Sequence, residues 1–310
     1  MVASGHYHAP NIPQIPGLAK WKQALPTHVS HSKRYRSHQG FEGLNVLLIG
    51  AGVSSLDIAK DLGNTAASVY QSSRGGPYDL PSHLLPLNAA RVDGIASFDA
   101  LSASDPCEDG RIPGTITLRS GRKLCGIHRV IVCTGYHVSF PFMRDYHSDF
   151  VQPEDANETT LVTDGQQTHN LHKDVFYIPD PTLAFVGVPY HVATFTLFEF
   201  QAMALASVLS GTTALPSTVE MRAEYNERLK RKGAGRFFHS LKAKGDEIAY
   251  VSDLAAMVNN ERNKPIVTMK GHSQKWLDAY VRRSQRMQAL FSAVRDPQID
   301  QRVLDLLVGC

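Results

Sequence analysis

Two short stretches carry residue types and spacings suited to chemistry: Gly50-Ala51-Gly52-Val53-Ser54-Ser55 and Gln71-Ser72-Ser73-Arg74. In a GxGxxG turn the first glycine allows a tight bend and the second lets the backbone approach a pyrophosphate. The third lets the following helix pack closely on its strand. Ser55 stands in the third place; it is small enough to keep that packing, and its hydroxyl could reach a phosphate. A helix opening at this turn presents free N–H groups and a partial positive charge to an anion. The second stretch sets the cofactor preference. A site for NAD places Asp or Glu at such a strand end to hold the ribose 2′-hydroxyl. This chain has no carboxylate there. Arg74 can instead fork onto a 2′-phosphate, and Ser72 or Ser73 can donate to it. The competing readings are an ordinary strand–helix turn and a plain surface arginine.

These residues need elements to hold them. Asn45–Gly50 (NVLLIG) is a short apolar run, as expected of a strand buried on both faces. Leu56, Ile58, Ala59 and Leu62 give Ser54–Leu62 near-helical spacing, and Gly63-Asn64 can end it. Ala67–Gln71 reads as the next strand. Strand, glycine turn, helix and strand make a βαβ unit over Asn45–Arg74. Residues 1–40, broken by Pro10, Pro13 and Pro16, read as loop, as do residues 75–112. Gly114–Leu118 and Lys123–Cys125 flank Ser120-Gly121 as a hairpin. Arg129–Cys133 is a buried strand running into Thr134-Gly135-Tyr136, and Leu183–Val188 is the last clear strand. Helical patterning covers Phe195–Leu209, Met221–Arg231 and Gln274–Ser292.

Composition narrows the function classes. The chain has 310 residues, 43% of them hydrophobic and 20% charged, with a net charge of +3. That is ordinary for a globular enzyme, and the scattered positives give no reason to expect nucleic acid as a partner. No apolar run reaches the roughly 18 residues of a membrane span. The N-terminus has no basic segment followed by an apolar core. Cys107, Cys125, Cys133 and Cys310 form no CxxC pair and no zinc pattern, so a reduced, cytoplasmic setting is expected.

Other polar groups are weaker candidates. His6, His8, His28, His31 and His38 are dense, but no carboxylate or cysteine completes a metal set. Cys133 suits small apolar packing better than redox chemistry. Glu199 and Gln201 can meet a cofactor or simply line an amphipathic face. Glu224, Glu227, Arg228, Lys230 and Arg231 read as a solvated helix face. Ser54 with Asp57 has capping-box spacing.

Several segments together resemble the flavin-containing monooxygenase family, in its fungal form. Ser4-Gly5-His6-Tyr7, Pro10, Ile12-Pro13 and Ile15-Pro16-Gly17 resemble the linker that leaves its FAD domain. His31-Ser32-Lys33-Arg34-Tyr35 resembles the end of the family fingerprint, although Leu25 and Thr27 replace its aromatic and its glycine. Gly50–Ile58 resembles the NADPH turn and Cys133-Thr134-Gly135-Tyr136 the ATGY strand end. Phe185-Val186-Gly187 and Phe198–Ala202 resemble the return to the FAD domain. The resemblance runs from Met1 to about Tyr250.

It implies an α/β chain: a Rossmann-like NADP-binding domain, an incomplete FAD-type domain and a helical C-terminal region. Residues 1–40 would be FAD-domain remnant and linker, 41–140 the NADP domain, and 141–310 the return to the FAD domain plus helices. FAD and NADP would be the cofactors, and O₂ and a small molecule the substrates. The reaction would oxygenate a nitrogen or sulfur nucleophile through a flavin hydroperoxide. Gly50, Gly52, Ser54 and Ser55 would cradle the pyrophosphate. Ser72, Ser73 and Arg74 would hold the 2′-phosphate. Thr134 and Gly135 would close the crossover between nucleotide domains, and Gln201 would approach the flavin. No residue is assigned a catalytic role and none a metal. The family's first GxGxxG turn, for FAD, has no counterpart here. Expectations therefore include a truncated enzyme, a second chain carrying the FAD half, or a non-catalytic NADP(H)-binding protein.

Overall fold

The computed structural model describes residues 1–101, 110–260, 268–294 and 296–305; Cys107 and Cys310 lie outside them. The chain forms two compact units. One comprises Met1–Ala9 with Tyr136–Ser284, the other Pro10–Gly135 with Gln285–Cys310. This differs from a division at residues 40 and 140. Residues from Pro10 on fall in the second unit, where Leu18 and Trp21 are buried in the core.

In chain order the elements up to Gly135 are β1 (Ala9–Pro10), α1 (Leu18–Ala24), β2 (Val29–His31), β3 (Asn45–Ile49), α2 (Val53–Asp61), β4 (Ser68–Ser72), β5 (Ala89–Val92), β6 (Ile95–Phe98), β7 (Ile116–Leu118), β8 (Lys123–Leu124) and β9 (Arg129–Val132). Five strands form a parallel sheet in the order β2-β9-β3-β4-β5. The period-2 side-chain alternation of β3 explains its unbroken apolar run. Val46 and Leu48 pack with Leu56, Ile58, Ala59 and Leu62 of the α2 segment. Leu47 and Ile49 pack on the other face with Leu18, Trp21 and Phe98. Each face therefore has its own cover, as a parallel sheet requires.

Strands β5 and β6 fall inside the segment read as irregular, and α1 and β2 inside the one read as loop. Each is short, and none has a pattern long enough to announce itself. The hairpin reading over Gly114–Cys125 corresponds to β7 and β8, which join β6 in a small antiparallel sheet.

The other unit contains β10 (Tyr136–His137), β11 (Leu171–His172), β12 (Phe176–Tyr177), α3 (Thr194–Leu209), α4 (Thr218–Lys232) and α5 (Asp246–Val258). Further helices are α6 (Gln274–Ser292), within which the division between units falls, and α7 (Pro297–Asp305). No continuous strand forms at Leu183–Val188, but the segment pairs on both sides: Ala184 and Phe185 bridge Phe176 and Val2, with backbone bonds from Phe185 N to Val175 O, Tyr177 N to Leu183 O, Val2 N to Ala184 O and Val186 N to Val2 O. Its apolar side chains also serve two packing clusters.

The charged face expected on α4 is exposed at Glu224, Glu227, Lys230 and Arg231 but needs one correction, at Arg228. Arg228 is bound bidentately to the fully buried Asp174, at 2.7 and 2.9 Å, and His239 Nδ1 lies 2.8 Å from the same carboxylate. Burial alone would raise the Asp174 carboxyl. Arg228 and His239 outweigh it and hold the group well below the usual carboxylate range.

Candidate dinucleotide site

The turn after β3 is built as its sequence suggests. Gly50 has φ 108°, a conformation that side-chain-bearing residues rarely adopt. A Cβ there would stand 2.8 Å from the Cys133 carbonyl oxygen, so the bend and the neighbouring strand both require glycine. Gly52 is the N-cap of α2, and the nearest atom to its missing Cβ is Tyr78 O at 3.8 Å. No side chain caps the helix. The capping box expected from Ser54 and Asp57 does not form, because Ser54 is already inside the first turn. The free first-turn N–H groups are therefore left open to an anion.

Ser55 is fully buried, and its hydroxyl accepts a hydrogen bond from Gln71 Nε2 at 2.8 Å. It occupies the close-packing place of the turn, facing the sheet. Gln71 in turn accepts from Arg91 Nε at 2.9 Å, and Arg91 Nη2 donates to the Leu80 carbonyl at 2.7 Å. The Leu80 N–H donates to Ala51 O, which ties this network back to the glycine turn. Nothing in the local pattern flagged Arg91; a buried glutamine in a strand was the one available signal.

At the end of β4, the Ser72 hydroxyl is buried and donates to the Asp93 carbonyl at 2.9 Å. Ser73 donates its hydroxyl to Asp79 and accepts from the Gly75 N–H. Asp79 is thus a carboxylate near this strand end that the local sequence did not reveal; it also accepts from Gly76 N. Arg74 is exposed and forms no ion pair among the described residues. Of the three expected 2′-phosphate groups, Arg74 is the one left free to reach outward.

The end of β9 is tied down from the N-terminal side. The Thr134 hydroxyl donates to Asn11 O at 2.6 Å, and Gly135 O accepts from Asn11 N at 2.9 Å. His31 Nε2 lies 3.0 Å from the same carbonyl, while its Nδ1 accepts from Lys33 N. His31 is therefore structural, and no metal-holding group occurs among the described residues. The Cys133 thiol is buried and pushed up to about 12 by that burial. It is a neutral packing group. Cys125 is disulfide-bonded, contrary to the reduced state expected.

Gln201 lies in the other unit, fully buried on α3. Its Oε1 accepts from Gly187 N at 2.9 Å and its Nε2 donates to Tyr250 OH at 2.7 Å. Both ends of the amide are occupied inside the protein; Glu199 is exposed. Gly187 borders a cavity lined also by Val2, His6, Tyr136, Phe185, Tyr190 and Arg236. His6 Nδ1 is 3.0 Å from Gly187 O, so it carries the proton and Nε2 is a lone-pair acceptor. That Nε2 is buried and has no partner among the described residues. An orphaned ring nitrogen in an aromatic, apolar cavity suits a planar heterocycle with a hydrogen-bond donor.

Gly50, Gly52, Arg74, Thr134 and Gly135 thus follow the carboxyl ends of neighbouring parallel strands, where α/β sheets bind ligands. The fold and this edge are of the class seen in dinucleotide-binding α/β proteins. A family model described as flavin-binding monooxygenase-like matches residues 1–83 and 114–276. The chain is 49% identical over 282 residues to flavin-containing monooxygenase ustF2 of Aspergillus flavus, covering 90% of this chain and 57% of that one. It is 30% identical to flavin-containing monooxygenase iboF of Amanita muscaria, over 79% of this chain and 48% of the relative. The S-allyl-L-cysteine S-oxygenase of Allium sativum shares the fold, with a TM-score of 0.65 at 23% identity over 99% of this chain and 63% of that one. The chain belongs to the flavin-containing monooxygenase family, whose members bind FAD and NADPH. It spans a little over half the length of the two Aspergillus flavus relatives, 57% and 54%.

Proposed function

We propose that this chain binds NADP(H) at the carboxyl edge of its parallel sheet as part of an FAD-dependent monooxygenase acting on a nitrogen or sulfur nucleophile of a small molecule. The observation that carries the reading is the strand edge itself. It combines an open glycine turn, an uncapped helix and an exposed Arg74 without an ion-pair partner among the described residues. Gly50 and Gly52 leave room for the pyrophosphate, and the first-turn N–H groups, Ser54's among them, donate to it. Ser55 supports the turn from beneath. Arg74 takes the 2′-phosphate, while Ser72 and Ser73 fix the loop that carries it. Thr134 and Gly135 close the edge over β9.

NADPH supplies the hydride, and FAD carries the oxygen chemistry. His6 Nε2 would offer a flavin ring an acceptor in this cavity, and Gln201 would keep Gly187, which lines it, in place. The substrate class rests on the family and on the relatives' names. The relatives carry the matched segment within single longer chains, which gives a second polypeptide no support.

The purified chain tests this directly. NADPH should bind at least tenfold more tightly than NADH, and added FAD should stay bound as a yellow chromophore. Arg74→Ala should weaken NADPH and spare NADH, by about 1–3 kcal/mol for a charged hydrogen-bonding contact. Equal losses for both cofactors would overturn the assignment of Arg74. A colourless protein that still prefers NADPH would leave only the nucleotide-binding part of the reading.

A further inference from the structure

A second arginine converges on the strand end that carries Arg74. Gly94 lies buried where the chain leaves β5 and enters β6. Its carbonyl accepts the backbone N–H of Arg119 at 2.8 Å. A Cβ placed on Gly94 would stand 3.1 Å from Arg74 Cγ, 3.2 Å from Arg119 Cδ and 3.4 Å from Arg119 Nε. The two arginine stems therefore run past the same bare α-carbon, and the glycine makes room for both. β4 and β5 are parallel neighbours with Ser72 opposite Val92, so their ends lie side by side. β7 brings Arg119 to that edge through its pairing with β6.

Both side chains are exposed, and neither forms an ion pair among the described residues. Asp79 is engaged with Ser73 and Gly76, and Asp93, which precedes Gly94, pairs with neither arginine. Two cationic side chains whose stems run past one α-carbon favour an anion that both can reach. A phosphate monoester supplies two charges and several acceptor oxygens, which suits two planar donor forks.

We propose that Arg119 shares the 2′-phosphate of NADP(H) with Arg74, making cofactor selectivity the work of a two-arginine clamp built over Gly94. The proposal rests on the reading of this edge as the NADP(H) site. Sequence spacing gave no sign of it. Arg119 sits in a hairpin far along the chain, and only the sheet brings it to Arg74.

The test uses 2′,5′-ADP and 5′-AMP as probes, measured by calorimetry on the whole chain and on Arg119→Ala, Arg119→Lys and Arg74→Ala. Circular dichroism checks folding, which exposed side chains should not disturb. Arg119→Ala is expected to weaken 2′,5′-ADP about tenfold or more and leave 5′-AMP unchanged, in line with a lost charged hydrogen bond. Arg119→Lys should recover part of the loss. If Arg74→Ala is selective for 2′,5′-ADP and Arg119→Ala affects neither probe, the clamp is wrong and the NADP(H) site stands. If neither variant discriminates between the probes, the site reading fails and the clamp fails with it. An equal loss of both probes in Arg119→Ala also overturns the proposal.

Discussion

Ser55 shows how a single hydroxyl can serve the opposite face of a turn from the one its position suggests. The residue stands where the dinucleotide pattern has its third glycine, next to the expected phosphate. Its oxygen nevertheless points into the sheet and satisfies Gln71. A glycine here would match the pattern better and serve the protein worse. Ser55→Gly should leave the buried Gln71 amide short of a partner and destabilise the protein by about 1–3 kcal/mol. NADPH affinity should stay unchanged. Urea unfolding and a binding titration separate the two effects. Weaker NADPH binding at unaltered stability would show that the hydroxyl reaches the phosphate after all.

At the scale of elements, the β3–α2 connection is the part most constrained from both sides. Gly50 carries φ 108° and faces the carbonyl of Cys133, which follows β9. Gly50→Ala imposes a backbone strain of about 1–3 kcal/mol, and the 2.8 Å approach adds to it. The variant should unfold at a lower urea midpoint and bind neither NADPH nor NADH well. A midpoint equal to that of the unaltered chain would contradict the turn geometry. This connection was legible in the sequence because a parallel strand buried on both faces must be apolar throughout, and because tight turns demand glycine. The long helices α3, α4 and α6 were legible for a similar reason, their period running over many residues. Strands β5 and β6 were not, since four residues between turns give no period to read. Leu183–Val188 reads as a full strand because it is apolar throughout, but its pairing stops at single bridges on either side. Arg228 looks solvated from its helix pattern because its partner, Asp174, lies 54 positions away in sequence. The long-range bonds by which Gln201 holds Gly187 and Tyr250, using both ends of its amide, cannot be read from local sequence.

For the whole molecule, the buried histidines set how stability responds to acid. His169 is pushed down to about 4 by burial, with His239 nearby acting in the same sense and Asp164 against it. His172 is likewise pushed down to about 4 by burial; Lys173 adds to this, while Glu224 and Asp174 oppose it. Both rings are therefore neutral in the folded protein at pH values where an unfolded chain, with histidine near 6.5, already binds protons. The unfolded state takes up more protons, so stability rises with pH through this range. The stabilisation is complete above about pH 6.5 and is lost as pH falls toward 4. Asp174 contributes in the same direction at lower pH, because its carboxyl is held well below the usual range and must be protonated before Arg228 loses its partner. Urea midpoints measured between pH 7.5 and 4.5 should fall steadily. His172→Gln should flatten that slope even if it lowers the midpoint at neutral pH, because the glutamine has nothing to titrate. A midpoint constant from pH 7.5 to 5 would show that these histidines are as easily protonated in the folded chain as in the unfolded one.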